Sequence, residues 1–378
     1  MTWLTNCKKL FIRLVILIVS VCLIAQTLAF LDEKKQISEK NKTRKIQSLL
    51  ERTETNNEQQ VKAEHRQTIT RENDKKCEHG YFKVDEMVEC EKWLGCNEIN
   101  KLLKKENKKL GEGWFKQVHL VQWKGHKFAM VMPKSLSRKG SIYRSRIAAE
   151  TLASFQPHRE IIQLTGLCKE GNNTIFLTES CNKYGTPTDL LNSPNYVKLS
   201  AKKRMRLIID IIKIYVFLHH EIDEPRVNCD THEAKQALGQ FLVTDDMRVV
   251  LSDVDELPID NPAKNKIATC RNEPKCRLSD AKFMSPEEQY NEEECPEDLS
   301  QRQHEVTIKA DVWKIPAISN EILNETLPDD SHRNQVIKIN KLLSETHARC
   351  KSINPQKRIS SIEILKQYLT IYEKINGR

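Results

Sequence analysis

The alternation of apolar and polar positions divides the chain into three stretches. Residues 14–31 (LVILIVSVCLIAQTLAFL) run for 18 positions without a charge, interrupted only by Ser20, Gln26 and Thr27. That is long enough for a short membrane span, and it lacks the polar face of a surface helix. Residues 32–76 are charged and polar, with no glycine, proline, phenylalanine, tyrosine or tryptophan. With too little apolar periodicity to bury a core, they read as a solvated stem, disordered or loosely helical. From residue 77 onward short apolar runs recur between turn residues, which is the pattern of a folded domain.

Within that domain the segment KKLGEGWFKQVHLVQWKGHKFAMVMP predicts a strand, a Gly111-x-Gly113 turn, a strand over 115–123, a Lys124-Gly125 turn and a third strand over 126–132. Glycine lets backbone N–H groups approach phosphate oxygens closely, although a plain hairpin produces the same spacing. Residues 204–220 (RMRLIIDIIKIYVFLHH) carry Leu207, Ile208, Ile211, Ile212, Tyr215, Phe217 and Leu218 at near-helical spacing over a broad face, predicting a mostly buried helix. It leads to a loop bearing Asp230, then to strands over 240–244 and 248–252, and then to Asp253-Val254-Asp255.

A chain of 378 residues that is 39% hydrophobic has a real core and is neither a collagen nor a low-complexity polymer. Its net charge of +9 raises the question of nucleic acid. Residues 1–76 hold 15 basic and 9 acidic residues, so most of the excess precedes the folded domain and a nucleic-acid partner is not indicated. Lys8, Lys9 and Arg13 stand before the apolar run and Asp32 and Glu33 after it, so the positive-inside rule leaves the domain lumenal or extracellular. A cleavable signal peptide ending near Leu28-Ala29 is the alternative, and both send the domain into the secretory pathway. Ten of the 12 cysteines follow the apolar run, an even number suited to an oxidising compartment. Cys77, Cys90 and Cys96 mark a disulfide-stapled cap whose pairing the spacing leaves open. Asn41, Asn172 and Asn324 each begin an N-glycosylation acceptor.

The ordered series GEG…K, LHH…CD…QFLVT…VVLSDVD, MSPEE, ADVW and a late Arg358 resembles a protein-kinase domain over about residues 105–375. It implies an α+β, two-lobed fold with a small β-rich lobe and a larger helical lobe. More closely, CEHGYFKVDEMVECEKWLGC, EGWFKQVHLVQWKGHKFA, CDTHEAKQALGQFLVTDDMRVVLSDVDELP, ADVWKIPAIS and CKSINPQKR resemble the protein O-mannose kinase family. That resemblance implies a single-pass type II membrane protein of the endoplasmic reticulum with a lumenal catalytic domain. Its parts would be a cytosolic tail (1–13), a transmembrane signal anchor (14–31), a lumenal stem (32–76), a Cys-rich cap (77–104) and the kinase-like domain (105–375). The activity implied is transfer of the ATP γ-phosphate, with Mg²⁺, to the 6-hydroxyl of an O-linked mannose already bearing GlcNAc and GalNAc, a glycan found on dystroglycan.

The resemblance also assigns residues, with departures. The third strand carries Val131 where protein kinases have a phosphate-binding lysine, and Lys116, where a third loop glycine is usual, supplies the cation from the adjacent strand. Glu150 on the following helix is the nearest match for the partner glutamate of that lysine. Asp230, in Asn228-Cys229-Asp230, is the carboxylate that takes the proton of the attacking hydroxyl. Gln240 stands in for the metal-binding asparagine, Asp253 is the main metal ligand, and Gly111 and Gly113 cradle phosphates. Glu287 is expected to pair with Arg358, and Asp311 to hold the catalytic-loop backbone. The activation segment, 256–283, contains Cys270 and Cys276 and no obvious phosphosite, pointing to a disulfide-shaped loop. The altered motifs leave two alternatives: a lumenal pseudokinase serving as a binding or scaffold module, and a secretory-pathway kinase of protein serines and threonines.

Overall fold

The structure is a computed structural model, and it describes residues 77–84, 87–105, 107–229, 231–271, 282–289, 303–323 and 330–375. The apolar anchor, the stem, Asn41, Asp230, Cys276 and Asn324 lie outside the described residues. Among the described residues no helix is long and apolar enough to cross a membrane.

The β-rich segment folds into one antiparallel sheet. Strands β3 (Lys108–Glu112), β4 (Lys116–Trp123), β5 (His126–Pro133), β6 (Leu164–Glu170) and β7 (Asn173–Glu179) take the order β3-β4-β5-β7-β6. Lys124 and Gly125 both have positive φ, 48° and 87°, which produces the tight β4–β5 turn that the Lys-Gly pair predicts. The glycine segment differs from the sequence reading. β3 runs on through Gly111 and Glu112 with a register shift after Lys109, so Gly111 belongs to a bulged strand end and only residues 113–115 form the connection. Helix α2 (Lys139–Phe155; the cap helix below is α1) packs on β5 and β7, burying Ala148, Ala149 and Leu152.

The cysteine-rich segment is built into this lobe. It contains a two-stranded hairpin, β1 (Tyr81–Phe82) with β2 (Glu91–Lys92), and helix α1 (Cys96–Leu103). Cys77–Cys90 closes the hairpin and Cys96–Cys168 ties α1 to β6. Phe82, Leu94, Ile99 and Leu102 share one apolar cluster with Val121, Phe128, Met130 and Leu177 of the sheet. Leu94 also pairs with Gly166, where an added Cβ would lie 3.0 Å from Leu94 atoms; only glycine lets the cap backbone approach so closely. Asn172 is exposed at the tip of the β6–β7 hairpin.

The second lobe is built around helix α3 (Ala201–Val216), which is buried almost all round, as its apolar run predicts. It begins at Ser200, whose hydroxyl accepts from the Lys203 amide. It does not continue regularly to residue 220. Residues Phe217–Glu221 form a wide π turn, a feature common where side chains must be redirected. Against α3 pack β9 (Val249–Leu251), paired with β8 (Phe241–Val243), and helices α4 (Ile308–Ile322), α5 (Asp330–Cys350) and α6 (Ser361–Ile375). β8 and β9 are each shorter than the predicted strands, because the chain leaves the ladder at Gln240 and Ser252 to form the site. β10 (Ala268–Arg271) and β11 (Gln303–Val306) pair antiparallel in a separate two-stranded sheet. A β-sheet lobe and a helical lobe thus fit the two-lobed kinase-like arrangement.

Candidate active site

The site gathers residues from the sheet lobe and from the segment after β9. Lys116 stands first on β4, where Gly113 N–H donates to the Lys116 carbonyl at 2.8 Å and Lys134 N–H donates to the Phe115 carbonyl at 2.8 Å. These bonds fix the loop tip and aim the lysine. Its Nζ lies 2.6 Å from Asp253 Oδ1 and 2.8 Å from Asp255 Oδ2. Gly111 and Gly113 have ordinary φ values, and a Cβ added to either would meet nothing within 4 Å. Neither backbone conformation nor internal packing therefore demands glycine there; the small residues keep open space beside Lys116.

Burial by itself pulls the Lys116 ammonium down, but Asp253 and Asp255 outweigh it and hold it above the ordinary lysine range. Burial raises Asp253, and Lys116 more than offsets this, leaving that carboxyl below its usual range. Asp255 is pushed up, first by burial and then by the neighbouring Asp253 charge. The two aspartates are also unequal in access, Asp253 being 34% exposed and Asp255 5%. Asp253 is thus the ionised, outward-facing carboxylate suited to a hard divalent cation.

Gln240 lies directly beside it, since the Gln240 carbonyl accepts from the amides of Ser252 at 3.0 Å and Asp253 at 3.1 Å. The stretch leading to Gln240 contains a helical turn, Ala234–Leu238. Asp230 is outside the described residues, but its neighbours are firmly held. Asp311 accepts from the Asn228 amide at 3.0 Å and lies 3.1 Å from His219 Nε2, the side chain that the π turn directs inward. Cys229 is bonded to Cys270, which ties the segment just before Asp230 to β10. Lys314 donates to Thr231 Oγ1 at 2.9 Å.

Two adjacent glutamates close the activation segment and diverge. Glu287 forms a two-pronged pair with Arg358, including Nη2 to Oε2 at 2.7 Å. Glu288 turns the other way and meets Lys314 at 2.7 Å, with both side chains wholly buried. They lie in one 3₁₀ turn, Pro286–Glu288, where successive side chains point about 120° apart. The Glu288–Lys314 pair was missed in the sequence; its only trace is a lysine inside the otherwise apolar stretch of α4.

One sequence expectation fails. Glu150 does not meet Lys116; it pairs with Lys169 of β6 at 3.0 Å, and both side chains are 46% exposed. The α2 residue that points into the site is Arg144, whose Nη1 lies 2.9 Å from Asp255 Oδ1 and 2.7 Å from Glu256 Oε2. Six residues separate Arg144 from Glu150, which at about 100° per residue places them roughly 120° apart around the helix.

No known family profile matches the chain. It is 28% identical over 303 residues to protein O-mannose kinase of Homo sapiens, covering 79% of this chain and 81% of that protein. It is 29% identical over 299 residues to protein O-mannose kinase of Xenopus laevis, covering 77% and 79%. A shorter similarity, 32% identity over 104 residues, is to Protein STRUBBELIG-RECEPTOR FAMILY 1 of Arabidopsis thaliana and spans 27% of this chain and 13% of that protein. Over most of its length the chain is thus similar in sequence to the protein O-mannose kinases.

Proposed function

We propose that the chain is an ATP- and Mg²⁺-dependent kinase acting on the 6-hydroxyl of an O-linked mannose, within a GalNAc-GlcNAc-Man glycan of dystroglycan-type glycoproteins. It is a phosphotransferase with a sugar alcohol group as acceptor. The observation that carries this reading is the convergence of Lys116 and Asp253, 137 residues apart in sequence and 2.6 Å apart in space, beside glycines that leave room for a ligand.

Each residue has a defined task. Lys116 and the Gly111 and Gly113 backbone hold phosphate oxygens, placing positive charge where charge develops in transfer. Asp253, with Gln240 at its side, would hold Mg²⁺, which would neutralise phosphate charge. Asp230 orients the mannose hydroxyl and takes its proton as that oxygen bonds to phosphorus and the bond to ADP breaks. Asp311, the Cys229–Cys270 bond and Lys314 keep the flanking backbone in place. Glu287 and Arg358 brace the end of the activation segment.

The domain works in the lumen of the endoplasmic reticulum, tethered by residues 14–31. Three disulfides among the described residues suit that compartment, and the exposed Asn172 is accessible for glycosylation there. The test is incubation with labelled ATP and a mannose-containing trisaccharide beside a panel of serine and threonine peptides. Label on the glycan, lost in Asp253→Ala and Asp230→Asn and reduced about a hundredfold or more in Lys116→Ala, is the expected result. Label on peptides alone would make it a protein kinase. The pseudokinase reading draws on Val131, which in β5 lies between Val118 and Phe176 and offers no cation; absence of all transfer would favour it.

A further inference from the structure

In ordinary protein kinases a helix glutamate orients the phosphate-binding lysine, and this ion pair couples the helix to the site. Here the helix presents the opposite charge. Glu150 is spent on Lys169 at the surface, while Arg144 is the α2 side chain that reaches the site. Asp255 stands between the two cations, with Oδ2 at 2.8 Å from Lys116 and Oδ1 at 2.9 Å from Arg144. It is nearly buried, whereas Asp253 is a third exposed, so both aspartates meet the lysine, but of the two only Asp255 also meets Arg144.

Arg144 is itself anchored on three sides. Glu256 holds Nη1 at 2.7 Å, and the Phe115 ring from the glycine connection lies 4.9 Å from the guanidinium carbon. The same ring lies over Gly140 of α2, where a Cβ would come within 3.3 Å of it. Helix α2 is thus linked to the loop on one side of Lys116 and to Asp255 on the other.

We propose that Asp255, held by Arg144, orients Lys116 together with Asp253, so that helix α2 is coupled to the lysine through a carboxylate shared by two cations. Arg144 is then a positioning residue acting through Asp255. This inference rests on the reading of Lys116 as the phosphate-binding cation and adds to it the source of that lysine's orientation.

The experiment uses the lumenal chain with Arg144→Met, Arg144→Lys, Asp255→Asn, the double variant Arg144→Met/Asp255→Asn, and Glu150→Gln. Two readouts are taken: KM for ATP against kcat with the mannosyl trisaccharide, and the melting shift produced by Mg²⁺ and ATP relative to the ligand-free melting temperature. Asp255→Asn and Arg144→Met should each raise KM for ATP by about tenfold or more, the scale of losing a charge-assisted hydrogen bond, and shrink the nucleotide-induced shift. Arg144→Lys should recover part of the loss, the double variant should be no worse than Asp255→Asn alone, and Glu150→Gln should match the wild type. Arg144→Met that lowers only the ligand-free melting temperature, additive effects of the two substitutions, or a Glu150→Gln defect equal to that of Asp255→Asn would each overturn the proposal. If the wild type transfers nothing to the glycan but shows the nucleotide shift, the functional reading falls and the coupling is decided by the shifts alone. If it shows neither, both fall.

Discussion

Lys314→Met tests how the buried charges below the site are balanced. Lys314 and Glu288 are fully buried and 2.7 Å apart; Glu288 also accepts from the Ser285 amide at 3.0 Å and hydroxyl at 2.7 Å, and Lys314 also donates to Thr231. Removing the ammonium leaves a buried carboxylate with hydrogen bonds and no cation from α4, which costs about 3–5 kcal/mol. In a domain of this size the lower figure corresponds to a midpoint roughly 6–12 °C lower. Burial raises the Glu288 carboxyl, but Lys314 and Ser285 outweigh it and hold it below the ordinary value of 4.5. Its stabilising contribution is therefore present above that value and lost as pH falls through the lower, folded-state one. In Lys314→Met burial acts without the cation, so the carboxyl takes up a proton more readily and the deficit relative to wild type shrinks on acidification. Thermal melts of both proteins at about pH 7 and about pH 5 measure this, and Lys314→Met/Glu288→Gln should recover most of the loss. A variant that melts with the wild type at neutral pH, a deficit independent of pH, or a double variant as unstable as the single one would refute the reasoning.

Three further outcomes follow from the same structure. Cys229→Ser/Cys270→Ser opens a bond spanning a sequence separation of 41; a loss of up to about 4 kcal/mol is expected, with a fall in kcat larger than any change in KM for ATP, and unchanged kcat would show that the bond does not position the catalytic loop. His158 has Nδ1 3.1 Å from Glu160 and Nε2 3.3 Å from Glu221; burial lowers its basicity, but these carboxylates outweigh that and raise it above 6.5. Its contribution is present below 6.5 and lost as pH rises through the folded value, so the melting temperature should fall from about pH 6 to about pH 8 more in the wild type than in His158→Gln. Arg358→Met strands Glu287 and removes donors to the carbonyls of Ser352 and Lys309; destabilisation of about 3 kcal/mol or more is expected, and a chemical-denaturation midpoint equal to that of the wild type would contradict it.

Much of this molecule was legible along the chain. The strand–turn–strand around Lys124-Gly125 and the buried helix α3 are properties of local spacing, and local spacing is written in the sequence. The same holds for the neighbourhood of Gln240 and Asp253, because both leave one hairpin at the same end. The connectivity of the cysteines was not legible, since Cys96–Cys168 and Cys229–Cys270 join segments whose approach depends on the whole lobe. Nor was the division of labour between Glu287 and Glu288, which one 3₁₀ turn sends to opposite partners.

The sharpest case is the partner of Lys116. Chain order alone offers Glu150, because a glutamate on the helix after the third strand is what the motif pattern calls for. The rotational phase of α2 against the sheet decides otherwise, turning Arg144 inward and Glu150 toward Lys169, while Lys116 meets Asp253 and Asp255 from the segment after β9. Periodicity specifies which residues share a face of an element, so the order of the elements and the charges they carry can be read along the chain. Which face is turned to which neighbour depends on the packing of all the elements together, and for that reason the pairing of charges is settled only in the folded molecule.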